Sequence, residues 1–333
     1  MVIDSTYKTK EAYRFSIAPM LDYTDRHFRV LIRQISRRSL VYSEMIVAKA
    51  LQYEQGRKLL DFNEIEHPIA LQVGGDDPKV LEEAASLAEI WGYDEINLNV
   101  GCPSARVQSG NFGACLMSNP SQVAKCIEAM KRKTKIPITI KHRTGIDNFD
   151  SYQFLIDFID QISEAGAERF IIHARKAWLK GLNPRENRTI PPLEYDKVAK
   201  LKKDRPGIKI ELNGGLKTPE ECLKALKTFN GAMVGRAAYE NPLLWKKMDQ
   251  LIYGENPANP KASDVIQGLI PYTQNHLNNN GKLWDIGKHL LNLVKGIPGA
   301  KKWRNELSVK AQSSKADITI FETAAKQLIE AGF

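Results

Sequence analysis

The chain has 333 residues, of which 43% are hydrophobic and 26% charged, an ordinary composition for a globular protein. The sequence has no apolar run near the roughly 18 residues that a membrane helix needs, and its first residues lack the apolar segment of a secretory signal. The net charge of +9 favours a polyanionic partner, and the four cysteines have no metal-type spacing. We therefore expect a cytoplasmic protein with reduced thiols, no membrane segment and no metal.

Eight short apolar runs alternate with helical stretches as far as residue 245. In chain order the predicted strands are FSIAP (15–19), LVYS (40–43), PIALQ (68–72), DEINLN (94–99), IPITIK (136–141), RFIIHA (169–174), IKIELN (208–213) and GAMVG (231–235). Eight β-then-α units predict an α/β fold, a (β/α)8 TIM barrel. The alternative is an open doubly wound sheet, which normally carries G-x-G-x-x-G after its first strand, where this chain has APMLDYTD.

The pattern changes after GRAAYENPLLW. Residues 246–333 contain no convincing strand, and SDVIQGLIPYTQNHLNNN, KLWDIGKHLLNLVKGIPGAKKWRNEL and DITIFETAAKQLIEAG are each predicted to be helical. The polar linker YGENPANPKAS is rich in Pro and Asn. We predict a barrel domain over 1–245 and an all-helical C-terminal domain over 246–333, here called the tail.

Polar side chains recur at the C-terminal ends of the predicted strands, where barrel enzymes keep their chemistry. Any one of them alone is more often structural, but independent structural roles do not account for their recurrence at one edge. The residues are Pro19 and Met20, Glu44, Gln72, Asn97, Asn99, Cys102, Lys141, His173, Asn213 to Gly215, Gly235 and Arg236.

The last two strand ends suggest a phosphate site. Glycines after Asn213 let backbone N–H groups approach a phosphate, and Arg236 can pair with it through two hydrogen bonds. Lys141 would place positive charge beside a flavin's pyrimidine edge, and Gln72 can hydrogen-bond both a carbonyl and an N–H of that ring. This combination fits FMN better than a dinucleotide.

Seven segments together resemble the tRNA-dihydrouridine synthases, and among them the bacterial A-type branch. They are APMLDYTDRHFR, EINLNVGCPSARVQSGNFGACLM, IKHRTGID, FIIHARKAWLKGLNPRENR, LNGG, MVGRAAYENP and GIPGAKKWR. The resemblance extends from about Phe15 into the tail. It implies an NADPH-dependent flavoenzyme that uses FMN to reduce D-loop uridines of tRNA, at tRNA positions 20 and 20a, to dihydrouridine.

The resemblance also implies roles for individual residues. FMN contacts are expected at Pro19, Met20, Leu21, Gln72, Lys141, His173, Asn213, Gly214, Gly215, Gly235 and Arg236. Cys102 corresponds to the family's general acid, and tRNA contacts are expected at Asn99, Arg185, Arg188, Lys301 and Arg304. The chain departs from the family pattern at Ala105, where an acidic residue is expected, and at Lys301, which replaces an arginine and lacks its two-pronged hydrogen bonding.

The chemistry explains why a cysteine would stand after the fourth strand. Reducing the C5–C6 bond of uracil requires a hydride at C6 and a proton at C5. A thiol with a pKa of about 8.5 is mostly protonated at pH 7 yet can give its proton up. We therefore interpret Cys102 as a proton donor and the other three cysteines as structural.

The stretch from Arg175 to Ile190, here called the basic loop, carries five cations and a single acid. A target uridine must be drawn out of folded tRNA, so cations above the barrel would hold the surrounding phosphates. Two alternatives stay open. One is an FMN barrel that acts on a free small molecule, such as a dihydroorotate- or enoate-type substrate, and the other is an RNA-binding protein with a vestigial barrel. We expect a monomer.

Overall fold

The computed structural model describes residues 11–256 and 259–333. Its strands are all parallel in their pairings. They are β1 (Phe15–Ile17), β2 (Leu40–Tyr42), β3 (Ile46–Val47), β4 (Ile69–Gly74), β5 (Glu95–Val100), β6 (Ile138–Arg143), β7 (Arg169–His173), β8 (Ile210–Asn213) and β9 (Gly231–Val234). The order is β2-β1-β9-β8-β7-β6-β5-β4, and β2 also pairs with β4, which closes an eight-stranded barrel. The predicted barrel is confirmed.

Helices surround the barrel and continue into the tail. They are α1 (Arg26–Arg33), α2 (Glu54–Arg57), α3 (Pro78–Ile90), α4 (Ala105–Gln108), α5 (Pro120–Lys131), α6 (Tyr152–Glu164), α7 (Tyr195–Asp204), α8 (Pro219–Ala225), α9 (Arg236–Glu240), α10 (Met248–Tyr253), α11 (Ala262–Asn278), α12 (Leu283–Leu290), α13 (Ala300–Ala311) and α14 (Thr319–Glu330). Several begin with a capped N-terminus, such as α3, where the Asp77 side chain accepts from Lys79 and Val80.

Two details of the prediction were wrong. The two-residue strand β3 was missed, because so short a segment has no measurable periodicity. The stretch 282–307 was predicted as one helical segment, but it forms α12 and α13 with a break between them. Gly296 and Gly299 both adopt φ +79° on either side of Pro298. A left-handed glycine and a proline each end a helix, so the segment cannot continue as one.

Charged and polar side chains fill the N-terminal half of the barrel interior. Arg169 forms ion pairs with Glu95 at 2.6 Å and with Glu211 at 3.1 Å, and all three are buried. Ser16 donates a hydrogen bond to Glu211, and the Tyr42 hydroxyl donates one to Glu95. Each of these charged groups has a partner, which offsets part of the cost of burying it.

The tail contacts the barrel at both ends of its strands. At the N-terminal end of the strands, Asp249 of α10 accepts hydrogen bonds from the Ser36 hydroxyl and the Arg37 backbone, each at 2.6 Å. At the other end, Asp25 caps α1 and pairs with Lys288 at 2.7 Å and His289 at 2.9 Å on α12. The predicted boundary at residue 245 stays a prediction. In the described ranges, no helix is both long and apolar enough to cross a membrane.

Candidate active site

The C-terminal ends of the barrel strands and the loops that follow them form the mouth of the barrel. Because all strands run in parallel, the polar strand ends predicted from sequence meet at this one edge. Gln72, Asn99, Lys141 and His173 lie on adjacent strands, and the register pairs Asn99 with Lys141 and His173 with Asn213. The structure therefore brings the predicted strand-end residues together.

A chain of amides crosses the barrel interior below the mouth. Gln72 donates to the Oδ1 of Asn97 at 2.8 Å and accepts from the Nδ2 of Asn99 at 2.9 Å. Asn97 in turn donates to the Thr139 hydroxyl at 2.8 Å. Gln72 keeps one N–H and one lone pair for a ligand, and its neighbours fix which way each points.

The loop after β5 holds Cys102 at the mouth. The Oδ1 of Asn99 accepts from the backbone nitrogens of Gly101 at 3.1 Å and Cys102 at 3.0 Å. The carbonyl of Cys102 accepts from the nitrogen of Ala114 at 2.9 Å, while Ser104, 3.6 Å from the sulfur, caps the short helix α4 that Ala105 begins. The thiol is half-buried and is thus both held in place and accessible.

Lys141 is the cation at the centre of the mouth. Its Nζ donates to the Oδ1 of Asn213 at 2.9 Å, and Asn213 donates to the Met233 carbonyl at 2.9 Å. Burial, followed by the nearby charge of Arg143, lowers the pKa of Lys141 to about 7. The lowered pKa means that the charged form of Lys141 is disfavoured in this environment. A bound anion would stabilise that charged form.

Further arginines surround Lys141 without acidic partners. Among the described residues, no salt bridge joins Arg143, Arg175, Arg188 or Arg236 to a carboxylate. Burial and the repulsion of Arg236 lower the pKa values of Arg175 and Arg188. Burial and the charge of Arg143 hold the pKa of His173 well below its ordinary value, so that ring is neutral. Positive charge is therefore concentrated at the mouth, which favours an anionic ligand there.

Arg143 is a site residue that sequence reasoning missed. Its Nε donates to the Gly101 carbonyl at 3.1 Å, next to Cys102, and its NH1 donates to the Asn187 carbonyl at 2.9 Å. Strand periodicity could have found it, because residues two apart on a strand share a face and Lys141 already points into the site.

Two glycines after β8 line the mouth in left-handed conformations. Gly214 has φ +99° and Gly215 has φ +78°, and the Tyr195 hydroxyl donates to the Gly214 carbonyl at 2.5 Å. A Cβ at Gly214 would lie 2.5 Å from the Cδ2 of His173. Only glycine combines this conformation with this close approach.

The ends of β1 and β9 complete the mouth. A Cβ added at Gly235, which precedes α9, would lie 3.4 Å from the sulfur of Met20, so the segment Pro19 to Leu21 lies beside Gly235 and Arg236. The Met20 backbone nitrogen donates to the Thr24 hydroxyl at 2.8 Å. Leu21 is 63% exposed and projects from the edge of the mouth.

A buried asparagine organises the basic loop. The Nδ2 of Asn187 donates to the carbonyls of Trp178 at 2.9 Å and Leu182 at 3.0 Å, and its Oδ1 accepts from the Trp178 nitrogen at 2.8 Å. Asn187 lies between the predicted RNA contacts Arg185 and Arg188. Both arginines are exposed, and the charge of Arg236 contributes to lowering the pKa of Arg188.

The two predicted RNA contacts of the tail lie on α13. Lys301 and Arg304 are in the first turns of α13 and line a surface cavity of about 730 Å³ together with Gly296, Ile297 and Gly299. This cavity contains no residue of the mouth.

Comparisons with known proteins identify the family of this chain. The family model described as "Dihydrouridine synthase (Dus)" matches residues 16–330. The chain belongs to the dihydrouridine synthase family. A protein of Synechocystis sp. named tRNA-dihydrouridine(20/20a) synthase is 50% identical over 315 residues, which cover 95% of this chain and 92% of that protein.

Further relatives of this family carry the same name. One from Escherichia coli is 50% identical over 314 residues, covering 94% of this chain and 91% of its own length. One from Salmonella typhimurium is 50% identical over 316 residues, or 95% of each chain. A solved 2-naphthoyl-CoA reductase complex has a TM-score of 0.54 over 73% of this chain and 50% of its own, at 12% identity, a likeness of fold alone.

Proposed function

We propose that this member of the dihydrouridine synthase family reduces uridines of tRNA, at tRNA positions 20 and 20a, to 5,6-dihydrouridine, with FMN as cofactor and NADPH as reductant. The observation that carries the proposal is a half-buried thiol, Cys102, held beside unpaired cations at a barrel mouth. The family match and the relatives named for this reaction support it.

The mouth suits an FMN molecule. The Nε of Arg175 is buried without a partner among the described residues, although its NH1 donates to the Pro191 carbonyl. Arg236, Arg175 and the N–H groups of Gly214 and Gly215 would hold a phosphate. Lys141 and Gln72 would face the flavin ring, with the remaining contacts from Pro19, Met20, Leu21, His173, Asn213 and Gly235. When bound, FMN supplies the hydride that C6 of uracil needs.

Cys102 would supply the proton to C5. As the hydride arrives at C6, negative charge develops toward the C4 carbonyl and C5 becomes basic. The hydrogen bonds from Gly101 and Cys102 to Asn99 fix the backbone from which the thiol projects. A positioned acid of this kind accelerates proton transfer by about 10²–10⁴-fold.

The RNA would be held by the basic loop and the tail. Extruding a stacked base requires contacts to its flanking phosphates. Arg185 and Arg188 belong to the basic loop, which follows β7, and Lys301 and Arg304 offer a second cationic surface on α13. Asn99 lies between the amide chain and Cys102, where it would also meet the base.

Replacing the thiol tests the proton-donor role. In Cys102→Ala we expect bound flavin and its reduction by NADPH to be unchanged, while dihydrouridine formation in an unmodified tRNA transcript falls by about 10²–10⁴-fold. The control is Cys115→Ala, because Cys115 is a second half-buried thiol of the same connection. Equal loss of flavin reduction and uridine reduction in Cys102→Ala would contradict the assignment.

The substrate is tested separately. The reduced protein is mixed in turn with uracil, dihydroorotate and unmodified tRNA, and flavin reoxidation is followed by absorbance. We expect reoxidation by tRNA only. If a small molecule but not tRNA reoxidised the flavin, the chain would be a small-molecule oxidoreductase and the proposal would be wrong.

A further inference from the structure

Three possible metal ligands meet where the barrel contacts the tail. His27 lies on α1 of the barrel, His276 lies in the last turn of α11, and Asp285 lies in the first turn of α12. One ligand atom from each lies within 4.8 Å of the other two. The proposed function uses none of these residues.

The three ligand atoms lie nearly close enough together to share one metal ion. The Nε2 of His276 lies 2.9 Å from the Oδ2 of Asp285, and the rings of His27 and His276 have centroids 4.5 Å apart at 67°. Ligands of a tetrahedral zinc ion lie about 3.4 Å apart, because Zn–N and Zn–O bonds are about 2.0–2.1 Å long. The observed separations, up to 4.8 Å, are wider than this, so the side chains must move closer together to hold one ion.

The surroundings hold both rings in this arrangement. The Tyr272 hydroxyl lies 2.9 Å from the Nδ1 of His27 and fixes that ring's tilt. A Cβ at Gly281 would lie 2.2 Å from the Nε2 of His276, so the absence of a side chain there makes room for the imidazole. Partners that orient a ligand are a usual feature of metal sites.

Solvent can reach one side of the cluster. His27 is 8% exposed, whereas the side chains of His276 and Asp285 are 23% and 41% exposed. A metal ion can therefore enter, and water can complete its coordination. Two imidazoles and a carboxylate form a ligand set typical of zinc rather than of magnesium or calcium.

We infer that His27, His276 and Asp285 form a zinc-type metal site that joins the barrel to the tail. A metal here connects α1 with α11 and α12. His27 is far in sequence from the other two ligands, which explains why no spacing motif indicates the site. Asp25, which caps α1, also pairs with Lys288 and His289 of α12, so a metal ion here would reinforce a contact between α1 and α12 that already exists.

Zinc binding by the full chain tests this inference. Protein stripped with EDTA is titrated with Zn²⁺ in competition with a chromophoric chelator, and Co²⁺ is added separately to look for tetrahedral visible absorption. We expect one high-affinity Zn²⁺ per chain. His27→Gln and His276→Gln should each weaken it by about tenfold or more. Zinc should raise the Tm of the unmodified chain but not of these variants.

The matched control is His67→Gln. His67 also pairs with an aspartate, Asp94 at 2.7 Å, but within the described residues it belongs to no group of three ligands. The His67→Gln variant should bind zinc with the same affinity as the unmodified chain. If a histidine variant fails to fold by circular dichroism, Asp285→Asn replaces it, since asparagine keeps an oxygen for the Lys282 N–H. A chain that binds no zinc, or variants that bind it as tightly as the control, would overturn the inference.

Discussion

The side-chain oxygen of Asn99 lies 3.0 Å from the backbone nitrogen of Cys102 and accepts its hydrogen bond. The same side chain donates to Gln72 at 2.9 Å. Asn99 therefore connects the proposed proton donor to a residue proposed to contact the flavin. The family resemblance implies that Asn99 contacts tRNA, and its hydrogen bonds give it a second, positioning role.

Loss of the Asn99 side chain should loosen the Cys102 loop. In Asn99→Ala we expect dihydrouridine formation at saturating tRNA to fall by about tenfold or more, because a misplaced catalytic group loses much of its effect. Flavin reduction by NADPH should be unchanged. Asn99→Asp is the matched variant. It keeps an oxygen that accepts from the Gly101 and Cys102 N–H groups and loses only the N–H that donates to Gln72. A turnover number in Asn99→Ala equal to that of the unmodified chain would refute the positioning role.

A side chain at Gly214 should disturb flavin binding. Gly214→Ala forces an added Cβ to within 2.5 Å of the His173 ring, whereas Gly181 has φ +84° with nothing within 4 Å of an added Cβ. Both variants carry the strain of a left-handed alanine, about 1 kcal/mol. Only Gly214→Ala should lose flavin per chain, measured by absorbance. Equal flavin content in the two variants would mean that this turn does not contact the cofactor.

The basic loop should contribute to tRNA affinity and to its salt dependence. We expect Arg185→Ala with Arg188→Ala to weaken tRNA binding by about tenfold or more and to reduce the slope of log affinity against log salt by about 1.5, with flavin content unchanged. Arg132→Ala with Lys133→Ala is the control, because these cations follow α5 at the opposite end of the barrel. The loop assignment fails if the two double variants bind tRNA alike.

The buried ring of His142 should make stability depend on pH. It contacts Phe158 and Phe170, and burial lowers its pKa to about 4. The unfolded chain therefore binds a proton below about pH 6.5 that the folded chain does not, so the free energy of unfolding falls as pH drops from 6.5 to 4. His142→Phe should reduce this dependence by up to about 1.4 kcal/mol per pH unit.

Urea unfolding at pH 5 and pH 7 measures the effect. His67→Phe is a useful comparison, since hydrogen bonding to Asp94 raises the pKa of His67 and gives the opposite sign. An unchanged pH dependence in His142→Phe would show that His142 titrates normally in the folded chain.

Features that depend on neighbouring residues could be predicted from the sequence, whereas contacts between segments distant in sequence could not. Strand ends follow from local periodicity, so Lys141 and His173 were placed correctly at one edge. The contact of Lys141 with Asn213 depends on register across two further strands, which no local pattern contains. Arg143 and Asn187 were missed for the same reason, because each acts through a segment distant in sequence. The glycines and proline of 296–299 are a signal for the break between α12 and α13. The helical spacing of apolar residues on both sides outweighed that signal in the prediction.

The packing of Asn187 has a thermodynamic consequence for recognition. A loop that becomes ordered only on meeting its ligand loses part of its binding energy to the entropy of that ordering. Here the buried Asn187 already bonds to Trp178 and Leu182 within the basic loop, and Arg143 of β6 donates to the Asn187 carbonyl. The cations of Arg185 and Arg188 are thus presented on a preorganised frame, and association with a polyanion should proceed without a folding step.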